Sequence, residues 1–268
     1  MEIIASCYTD AGTTKKINQD ALSIQIVDSP QGKIVMAVVC DGVGGLEFGE
    51  RASREMVQIF HKWFTTEFAR MVRDGMVTRE RLFHQWQQWI DRANYRLKTY
   101  AKNQGKRMGT TLSVLLICCN KYYICHVGDS RIYQIDNSIH KLTTDHTLVA
   151  QEVAMGRLTK EQAQIDSRRN VLLQCVGASE MVKPQFDHGS VTGDVTFLLS
   201  SDGFVHQLTE VEIYNYFHPK MLSDKEQLTE VCKSTTKLLM ERGESDNITV
   251  VAIVYKEVGG CFKMEEAV

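Results

Sequence analysis

The chain has 268 residues, of which 43% are hydrophobic, 24% are charged and only 3 are proline. This composition is typical of a folded globular protein and excludes a disordered or collagen-like chain. Its 31 basic and 33 acidic residues give a net charge of −2, so we expect neither nucleic acid nor a membrane as a partner. No apolar run approaches the roughly 20 residues that span a bilayer.

Short apolar runs, several of them rich in β-branched residues, recur along the chain and predict abundant sheet. Many of these runs are bounded by Asp-Gly or Asn, which favour turns. The predicted strands are Met1 to Cys7, Leu22 to Val27, Lys33 to Cys40, Thr111 to Cys118, Lys121 to Val127, Arg131 to Ile135, Val195 to Ser200 and Ile248 to Tyr255.

Helices are predicted in two groups. Apolar side chains recur at helical spacing over Gly49 to Arg73 and over Arg79 to Lys102, as in helices that pack one face on a core. Later helices are predicted from capping boxes, in which Ser or Thr precedes Glu or Gln by three residues. The pairs are Thr159 with Gln162, Thr209 with Glu212 and Ser223 with Glu226, and the last helix is predicted to stop at Gly243.

The order of these elements predicts the fold class. Strands and helices come in blocks, which argues against an alternating doubly wound sheet and favours a layered α+β domain. No Pro-, Gly- or Ser-rich linker divides the chain, and a single domain of this length is common. We therefore predict one domain over residues 1–256 and a short C-terminal tail over 257–268.

Four aspartates share one sequence context, because each lies where an apolar strand meets a loop. They are Asp41, Asp129, Asp202 and Asp246. Taken singly, each is also typical of a plain turn. If the strand ends converge, the carboxylates repel one another unless cations compensate them. An all-oxygen donor set favours Mg²⁺ or Mn²⁺, and Gly42 lets its carbonyl approach a metal closely.

Further motifs accompany these aspartates. The series is Thr9-Asp10-Ala11-Gly12 with Lys15, Asn18-Gln19-Asp20, Asp41-Gly42-Val43-Gly44-Gly45, Gly109-Thr110-Thr111, Val127-Gly128-Asp129-Ser130-Arg131, Ser201-Asp202-Gly203 and Asp246-Asn247. In this order it resembles the motif series of the metal-dependent protein serine/threonine phosphatases, the type 2C or PPM family, in their compact bacterial form. The resemblance implies a four-layer αββα sandwich, two antiparallel sheets flanked by helices, with residues 1–256 as the catalytic domain.

The resemblance also implies a set of metal ligands. Asp41 resembles the carboxylate that bridges two ions, Gly42 gives its carbonyl to the second ion, and Asp202 and Asp246 complete the first. Asp129, with Asp202, resembles the pair that holds a third, weaker ion in bacterial members. Two divalent ions lower the pKa of a shared water, which then attacks a phosphoserine or phosphothreonine monoester.

One further position, Asp20, completes this pattern, and three positions depart from it. Asp20 resembles the acidic residue that holds metal-bound water, but Gln19 stands beside it where the family usually has Glu. Lys15 stands at the phosphate-binding position, where the family usually has Arg, so we expect a looser grip on phosphate. Val43 replaces the His of animal members, which leaves protonation of the leaving group to water.

Two other functions remain open at this stage. The departures at Lys15 and Gln19 are compatible with a binding or regulatory module that keeps the fold and has impaired catalysis. The spacing from Cys125 to Arg131 matches the C-x5-R pattern of cysteine-based phosphatases. That chemistry needs a loop leading into a helix N-terminus, whereas here Asp129 interrupts the loop and a strand follows.

The resemblance also predicts a flap from Asp145 to Ala178 that borders the cleft. Its Arg168 and Arg169 either meet an acidic phosphopeptide or form an exposed pair on a solvated loop. The expected partner is a phosphoprotein substrate linked to a Ser/Thr kinase, and we expect a monomer. The eight cysteines show no CxxC spacing, which predicts free thiols in a reducing cytoplasm.

Overall fold

The computed structural model describes residues 2–30 and 32–257, which form two sheets between two layers of helices. The strands are β1 (Glu2–Asp10), β2 (Ala21–Ser29), β3 (Gly32–Cys40), β4 (Leu112–Cys118), β5 (Lys121–Val127), β6 (Arg131–Ile135), β7 (Ile139–Lys141), β8 (Gln185–Ser190), β9 (Val195–Ser200) and β10 (Ile248–Lys256). The helices are α1 (Gly49–Trp63), α2 (Ala69–Arg73), α3 (Arg79–Asn103), α4 (Leu148–Ala154), α5 (Lys160–Ile165), α6 (Asp202–Val205), α7 (Glu210–Phe217) and α8 (Lys225–Glu241).

Each sheet contains five antiparallel strands. Sheet A has the order β1-β10-β9-β6-β7 and sheet B the order β2-β3-β4-β5-β8. The register places Asp10 opposite Ile248 in sheet A and Ala21 opposite Cys40 in sheet B. The loop between β5 and β6 crosses from one sheet to the other at this same end. The loops that enter β2 and β10 and those that leave β3, β5 and β9 therefore form one rim.

The central strands are buried on both faces, and their side chains alternate between two cores. In β3, Val35, Ala37 and Val39 point into the core between the sheets, while Met36 and Val38 point toward the helices. This alternation follows from the two-residue period of a strand. Since both faces are covered, the sequence of β3 reads as a continuous apolar run.

The two helical layers cover opposite faces of the sandwich. Helices α1 and α3 pack on sheet B, where Phe60, Trp63 and Trp86 form the centre of an aromatic cluster. Helix α8 packs on β1 and β10 of sheet A. The predicted α+β class and αββα layering are confirmed by this arrangement.

Several element boundaries differ from the prediction. The helix predicted over Gly49 to Arg73 is interrupted by a π-helical turn at Phe64–Phe68, where the Phe64 and Phe68 rings stack 5.2 Å apart. Strands β7 and β8 were not predicted, because β7 is short and β8 is an edge strand with mostly polar, half-exposed residues.

The predicted cap at Ser223 is wrong by one residue. Asp224 is the N-cap of α8, because its carboxylate accepts the N–H of Gln227 at 2.8 Å. Ser223 instead donates its own N–H to the Gln227 side chain. The predicted stop at Gly243 is confirmed, since this residue has a φ of 88° just after the helix.

The boundary of the predicted domain stays a prediction. Apart from Glu257, the predicted tail over 257–268 lies outside the described residues, as does Met1 of the predicted first strand. Among residues 2–30 and 32–257, no helix combines the length and apolar character needed to cross a bilayer.

Truncation in the core between the sheets tests this layering. Phe197 is fully buried and its ring lies 5.3 Å from that of Tyr122. We expect Phe197→Ala to lower the free energy of unfolding by about 3–5 kcal/mol. Val211 is 68% exposed, so Val211→Ala should change it by no more than about 0.5 kcal/mol. Chemical denaturation measures both, and equal losses would contradict the layering.

Candidate active site

Five aspartates lie at the rim where the two sheets end. Asp20 precedes β2, Asp41 follows β3, Asp129 lies between β5 and β6, Asp202 opens α6 after β9, and Asp246 precedes β10. The structure thus brings all the sequence-predicted carboxylates to one end of the sandwich. Their positions follow from the antiparallel pairing, which returns successive strand ends to the same rim.

Charge repulsion couples these groups. Burial, reinforced by the charges of Asp20, Asp202, Asp129 and Asp246, raises the pKa of Asp41 well above its ordinary value. Burial and Asp202 raise the pKa of Asp20 to about 7, and the same two causes raise that of Asp129 to about 8. Asp41 therefore lies at the centre of the acidic field.

Several of these carboxylate oxygens are buried without a partner. Asp20 is 7% exposed, and within the described residues neither of its oxygens, nor Oδ1 of Asp202, accepts a hydrogen bond. Thr249 and Ser201 lie close enough to lower the pKa of Asp20, but not in hydrogen-bonding geometry. Buried, unpartnered carboxylate oxygens are costly in a protein interior and are the donors that Mg²⁺ and Mn²⁺ bind. The donor set fits such an ion.

The carboxylate groups do not surround a single metal position in this structure. Within residues 2–30 and 32–257, no three His, Cys, Asp or Glu side chains are close enough together to hold a metal ion as they stand. The aspartates share a rim and an electric field, and their convergence on one metal centre stays a prediction.

The backbone of Asp41 is fixed by two threonines. Thr111 Oγ1 accepts the Asp41 N–H at 2.9 Å and bonds Ser130 Oγ at 2.7 Å. The Asp41 carbonyl accepts both Thr110 Oγ1 and the Thr111 N–H. These bonds hold the main chain and leave the carboxylate of Asp41 free to face the rim.

Gly42 occupies a position where no side chain fits. A Cβ on Gly42 would stand 2.6 Å from the Gly49 carbonyl carbon and 2.8 Å from the Gln19 carbonyl oxygen. The Gly42 N–H donates to that same Gln19 oxygen at 3.1 Å. Glycine is therefore required here for close packing of the two rim loops.

Gln19 has a structural role through its main chain. Its N–H donates to Asn247 Oδ1 at 2.9 Å, and its carbonyl also accepts Ser53 Oγ at 2.6 Å. Its amide side chain packs toward Gly49. The contact with Asn247 ties the loop before β2 to the loop before β10.

Lys15 lies at the rim, paired with one of the predicted ligands. Its Nζ is 3.1 Å from Asp246 Oδ1, and both side chains are a little over a third exposed. An ion pair at this exposure contributes only about 0–1 kcal/mol. The ion pair therefore keeps the Lys15 ammonium group near Asp246 but contributes little to stability.

Sequence reasoning missed a second pair of residues at the rim. Glu244 is 5% exposed, and its Oε1 accepts the N–H groups of Ser245 and Asp246 at 2.8 and 2.9 Å. Its Oε2 lies 3.6 Å from His206 Nδ1, and His206 Nε2 lies 3.6 Å from Asp202 Oδ2. The four-residue spacing of Asp202 and His206 was the available signal.

The electrostatics of His206 follow from these contacts. Burial alone disfavours the charged imidazole, but Glu244 and Asp202 outweigh it and raise the pKa of His206. The imidazole of His206 lies between the loop that carries Asp246 and the helix that begins at Asp202, 3.6 Å from a carboxylate oxygen of Glu244 and of Asp202.

The C-x5-R alternative fails on geometry. Cys125 is fully buried within β5, and burial raises the pKa of its thiol well above the ordinary value. Arg131 faces Asp145, with two contacts of 2.8 and 3.1 Å between the guanidinium and Oδ2. A buried thiol and a paired arginine cannot form a phosphate cradle.

The predicted flap is connected to the Asp129 loop through His146. The His146 N–H donates to the Gly128 carbonyl at 2.7 Å, and the Gly128 N–H donates to His146 Nδ1 at 3.1 Å. Arg168 is paired with Asp166 at 2.7 Å and Glu152 at 3.3 Å, so it is not a free cation for a peptide. Arg169 is exposed.

Comparison with known proteins identifies the family of the chain. The sequence profile described as protein phosphatase 2C matches residues 11–249. Protein phosphatase PhpP of Streptococcus pneumoniae is 29% identical over 260 residues, which cover 96% of this chain and 98% of PhpP. The serine/threonine phosphatase stp of Listeria innocua is 30% identical over 254 residues, covering 93% and 94%.

Solved structures show the same architecture. The serine/threonine phosphatase of S. agalactiae superposes with a TM-score of 0.80 at 27% identity, covering 96% of this chain and 100% of that one. Stp1 of Staphylococcus aureus gives a TM-score of 0.80 at 25% identity, covering 96% of each. The fold and these relatives identify a phosphoprotein phosphatase. The chain belongs to the protein phosphatase 2C family.

Thr111 provides a test of how Asp41 is positioned. We expect Thr111→Val to leave the buried Asp41 N–H without an acceptor, which costs about 1–3 kcal/mol of unfolding free energy. Displacement of Asp41 should lower kcat/KM on a phosphothreonine peptide by about 10–100-fold. Within the described residues, buried Thr196 Oγ1 has no hydrogen-bond partner, so Thr196→Val is a matched control with little expected effect. Similar losses in both variants would contradict this role.

Proposed function

We propose that the rim carboxylates hold two divalent ions, Mg²⁺ or Mn²⁺, for hydrolysis of phosphoserine and phosphothreonine. Asp41 would bridge the two ions, the Gly42 carbonyl would face the second, and Asp202 and Asp246 would bind the first. When bound, such ions acidify a shared water and neutralise charge on the phosphate. The observation that carries this proposal is the pair of buried, unpartnered oxygens of Asp20 beside Asp41.

The surrounding residues would act by positioning. Asp20 would orient water at the second ion, and Thr110 and Thr111 hold the main chain of Asp41 in place. Glu244 holds the N–H of Asp246, which sets the loop that carries this ligand. Asp129 with Asp202 would supply a third, weaker site.

A related structure supports the choice of ion. The catalytic domain of the phosphatase PstP, which is 22% identical and has a TM-score of 0.74, is described as a complex with two manganese ions. At this identity the likeness concerns the fold, so the argument for ions in this chain comes from its own buried oxygens.

Lys15 would contact the phosphate. Its pairing with Asp246 places a partly exposed cation next to the proposed ions, and a phosphate monoester bound there would compete with Asp246 for it. An ammonium group gives a point charge, whereas arginine gives a planar fork that matches two phosphate oxygens.

The activity and the free thiols support a proposal for the substrate and the cellular compartment. The substrate would be a phosphoprotein, linked to a Ser/Thr kinase that adds the phosphate. The described cysteines are free thiols, which supports a reducing cytoplasm. We also propose that the chain acts as a monomer, with residues 1–256 as the catalytic domain.

Replacement of Asp202 tests the metal role. We expect Asp202→Asn to weaken Mn²⁺ binding and to abolish Mn²⁺-dependent hydrolysis of phosphoserine and phosphothreonine peptides, since a neutral amide is a poorer ligand for a hard cation. Asp28 is exposed and paired only with Lys33 among the described residues, so Asp28→Asn is the control for loss of one charge. Isothermal titration and phosphate release measure the two properties.

The same experiment distinguishes an active phosphatase from a binding or regulatory module with impaired catalysis. Hydrolysis by the wild type that is lost with chelator and in Asp202→Asn supports the phosphatase. Mn²⁺-dependent turnover that persists in Asp202→Asn would contradict the proposed ligand. A wild type that binds Mn²⁺ and phosphopeptide without turnover would instead indicate a regulatory module.

Lys15→Arg tests the phosphate contact. The forked guanidinium should bind the phosphate more tightly, so we expect KM for a phosphothreonine peptide to fall by about threefold or more. Steady-state kinetics at saturating Mn²⁺ measure the change, with Lys33→Arg at an exposed surface pair as control. An unchanged or raised KM would count against Lys15 as the phosphate anchor.

A further inference from the structure

A surface cavity of about 520 Å³ lies beside the rim. It is formed by the last turns of α3, the loop that follows them, and the segment 177–180 at the end of the flap region. Its wall contains Lys98, Lys102, Lys106, Arg107 and Glu180. We call this set the basic pocket.

Most of the positive charge in the basic pocket is uncompensated. Lys98 is paired with Glu180 at 2.9 Å. Lys102, Lys106 and Arg107 are exposed, and within the described residues none of them pairs with a carboxylate. Lys106 instead lies over the Phe48 ring, 4.9 Å from its centroid. Three cations that line one concavity, none of them paired with a carboxylate of the described residues, are complementary to an acidic ligand.

The walls of the basic pocket are held in place. Asn94, on α3, is 6% exposed; its Oδ1 accepts the Gly177 N–H at 2.7 Å and its Nδ2 donates to the Ser179 carbonyl at 3.1 Å. On the other side, the N–H of Lys106 donates to the Ala101 carbonyl at 2.9 Å. The cations are therefore presented by a fixed main chain, which lowers the entropic cost of binding.

The basic pocket is directly connected to the acidic rim. Thr110 pairs with Val176 through two hydrogen bonds of 2.9 Å and donates its hydroxyl to the Asp41 carbonyl. Arg107 precedes Thr110 by three residues, so their Cα atoms are at most about 11 Å apart. Burial raises the pKa of the Cys175 thiol, Arg107 lowers it and Asp129 raises it, so one cation of the pocket and one carboxylate of the rim both act on this residue.

We propose that the basic pocket binds acidic side chains of the protein substrate, two to four residues from the phosphorylated residue. An extended peptide advances about 3.3 Å per residue, so two to four residues span about 7–13 Å, a range that includes the upper limit of about 11 Å on the Cα separation of Arg107 from Thr110, whose hydroxyl bonds the Asp41 carbonyl. The inference rests on the proposed phosphatase function and adds a preference among its substrates. It also assigns peptide recognition to this pocket, since flap Arg168 is already paired with Asp166 and Glu152.

The test compares peptides that differ only in charge. Two phosphothreonine peptides each carry two glutamates, three and four residues from the phosphothreonine. In one peptide the glutamates lie on its N-terminal side, and in the other on its C-terminal side. Each has a counterpart with glutamines in the same positions. We expect kcat/KM with Mn²⁺ to be roughly five- to tenfold higher for one glutamate peptide than for its glutamine counterpart. This ratio should fall toward one between about 50 and about 300 mM NaCl, because salt screens exposed charges.

The variants assign the preference to the basic pocket. Lys102→Gln with Lys106→Gln, and separately Arg107→Gln, should each lower the ratio. Arg107→Gln leaves the contact of Lys106 with Phe48 intact. A lower ratio in this variant therefore cannot be explained by movement of the loop after loss of that contact. The matched control is Lys233→Gln with Lys237→Gln on α8, where both lysines are exposed on the opposite layer, and it should keep the wild-type ratio.

Each other outcome overturns the inference. If wild type hydrolyses the glutamate and glutamine peptides equally, the basic pocket does not select substrates, while the phosphatase function stands. If the pocket variants keep the wild-type ratio but Arg168→Gln with Arg169→Gln loses it, the acidic segment binds the flap. If Mn²⁺ supports hydrolysis of none of the peptides, the proposed function fails and this inference fails with it.

Discussion

Mutual repulsion among buried carboxylates at one rim is the constraint on which the site depends. The sandwich brings Asp20, Asp41, Asp129 and Asp202 together at depths where charging is unfavourable, and each has a raised pKa for that reason. The neighbouring polar groups hydrogen-bond mainly to the main chain, as Thr110 and Thr111 do at Asp41. Carboxylate oxygens are thereby left for a cation, which relieves the repulsion that the fold creates.

The two departures from the usual family pattern have different structural meanings. Gln19 joins the loops before β2 and β10 through its main chain, and this function does not depend on a carboxylate. Lys15 lies against Asp246, with its Nζ 3.1 Å from Asp246 Oδ1. The first departure therefore lies in a residue that packs two rim loops together, and the second lies in a cation paired with Asp246.

Much of the fold was predictable because the central strands are covered on both faces. Strands such as β3 and β10 are apolar over nearly their whole length, and the aspartates at their ends stand out against them. Strand β8 was not predicted because it is an edge strand with polar, half-exposed residues, and its sequence therefore lacks an apolar run. The role of Glu244 and the basic pocket were also missed. Both depend on residues far apart in sequence, such as Lys106 and Gly177, which only the folded chain brings together.

The pairing of the first strand with the last has a consequence for biosynthesis. Strand β1 finds its only sheet neighbour within the described residues in β10, which is synthesised more than two hundred residues later. Asp246 enters the rim with that same strand. Before β10 has been synthesised, a nascent chain on the ribosome can form the α1–α3 layer on sheet B. Its acidic rim is incomplete, because Asp246 is still missing. The ribosome must therefore release nearly the whole domain before the enzyme can begin to work, and folding of sheet A includes a slow, long-range step.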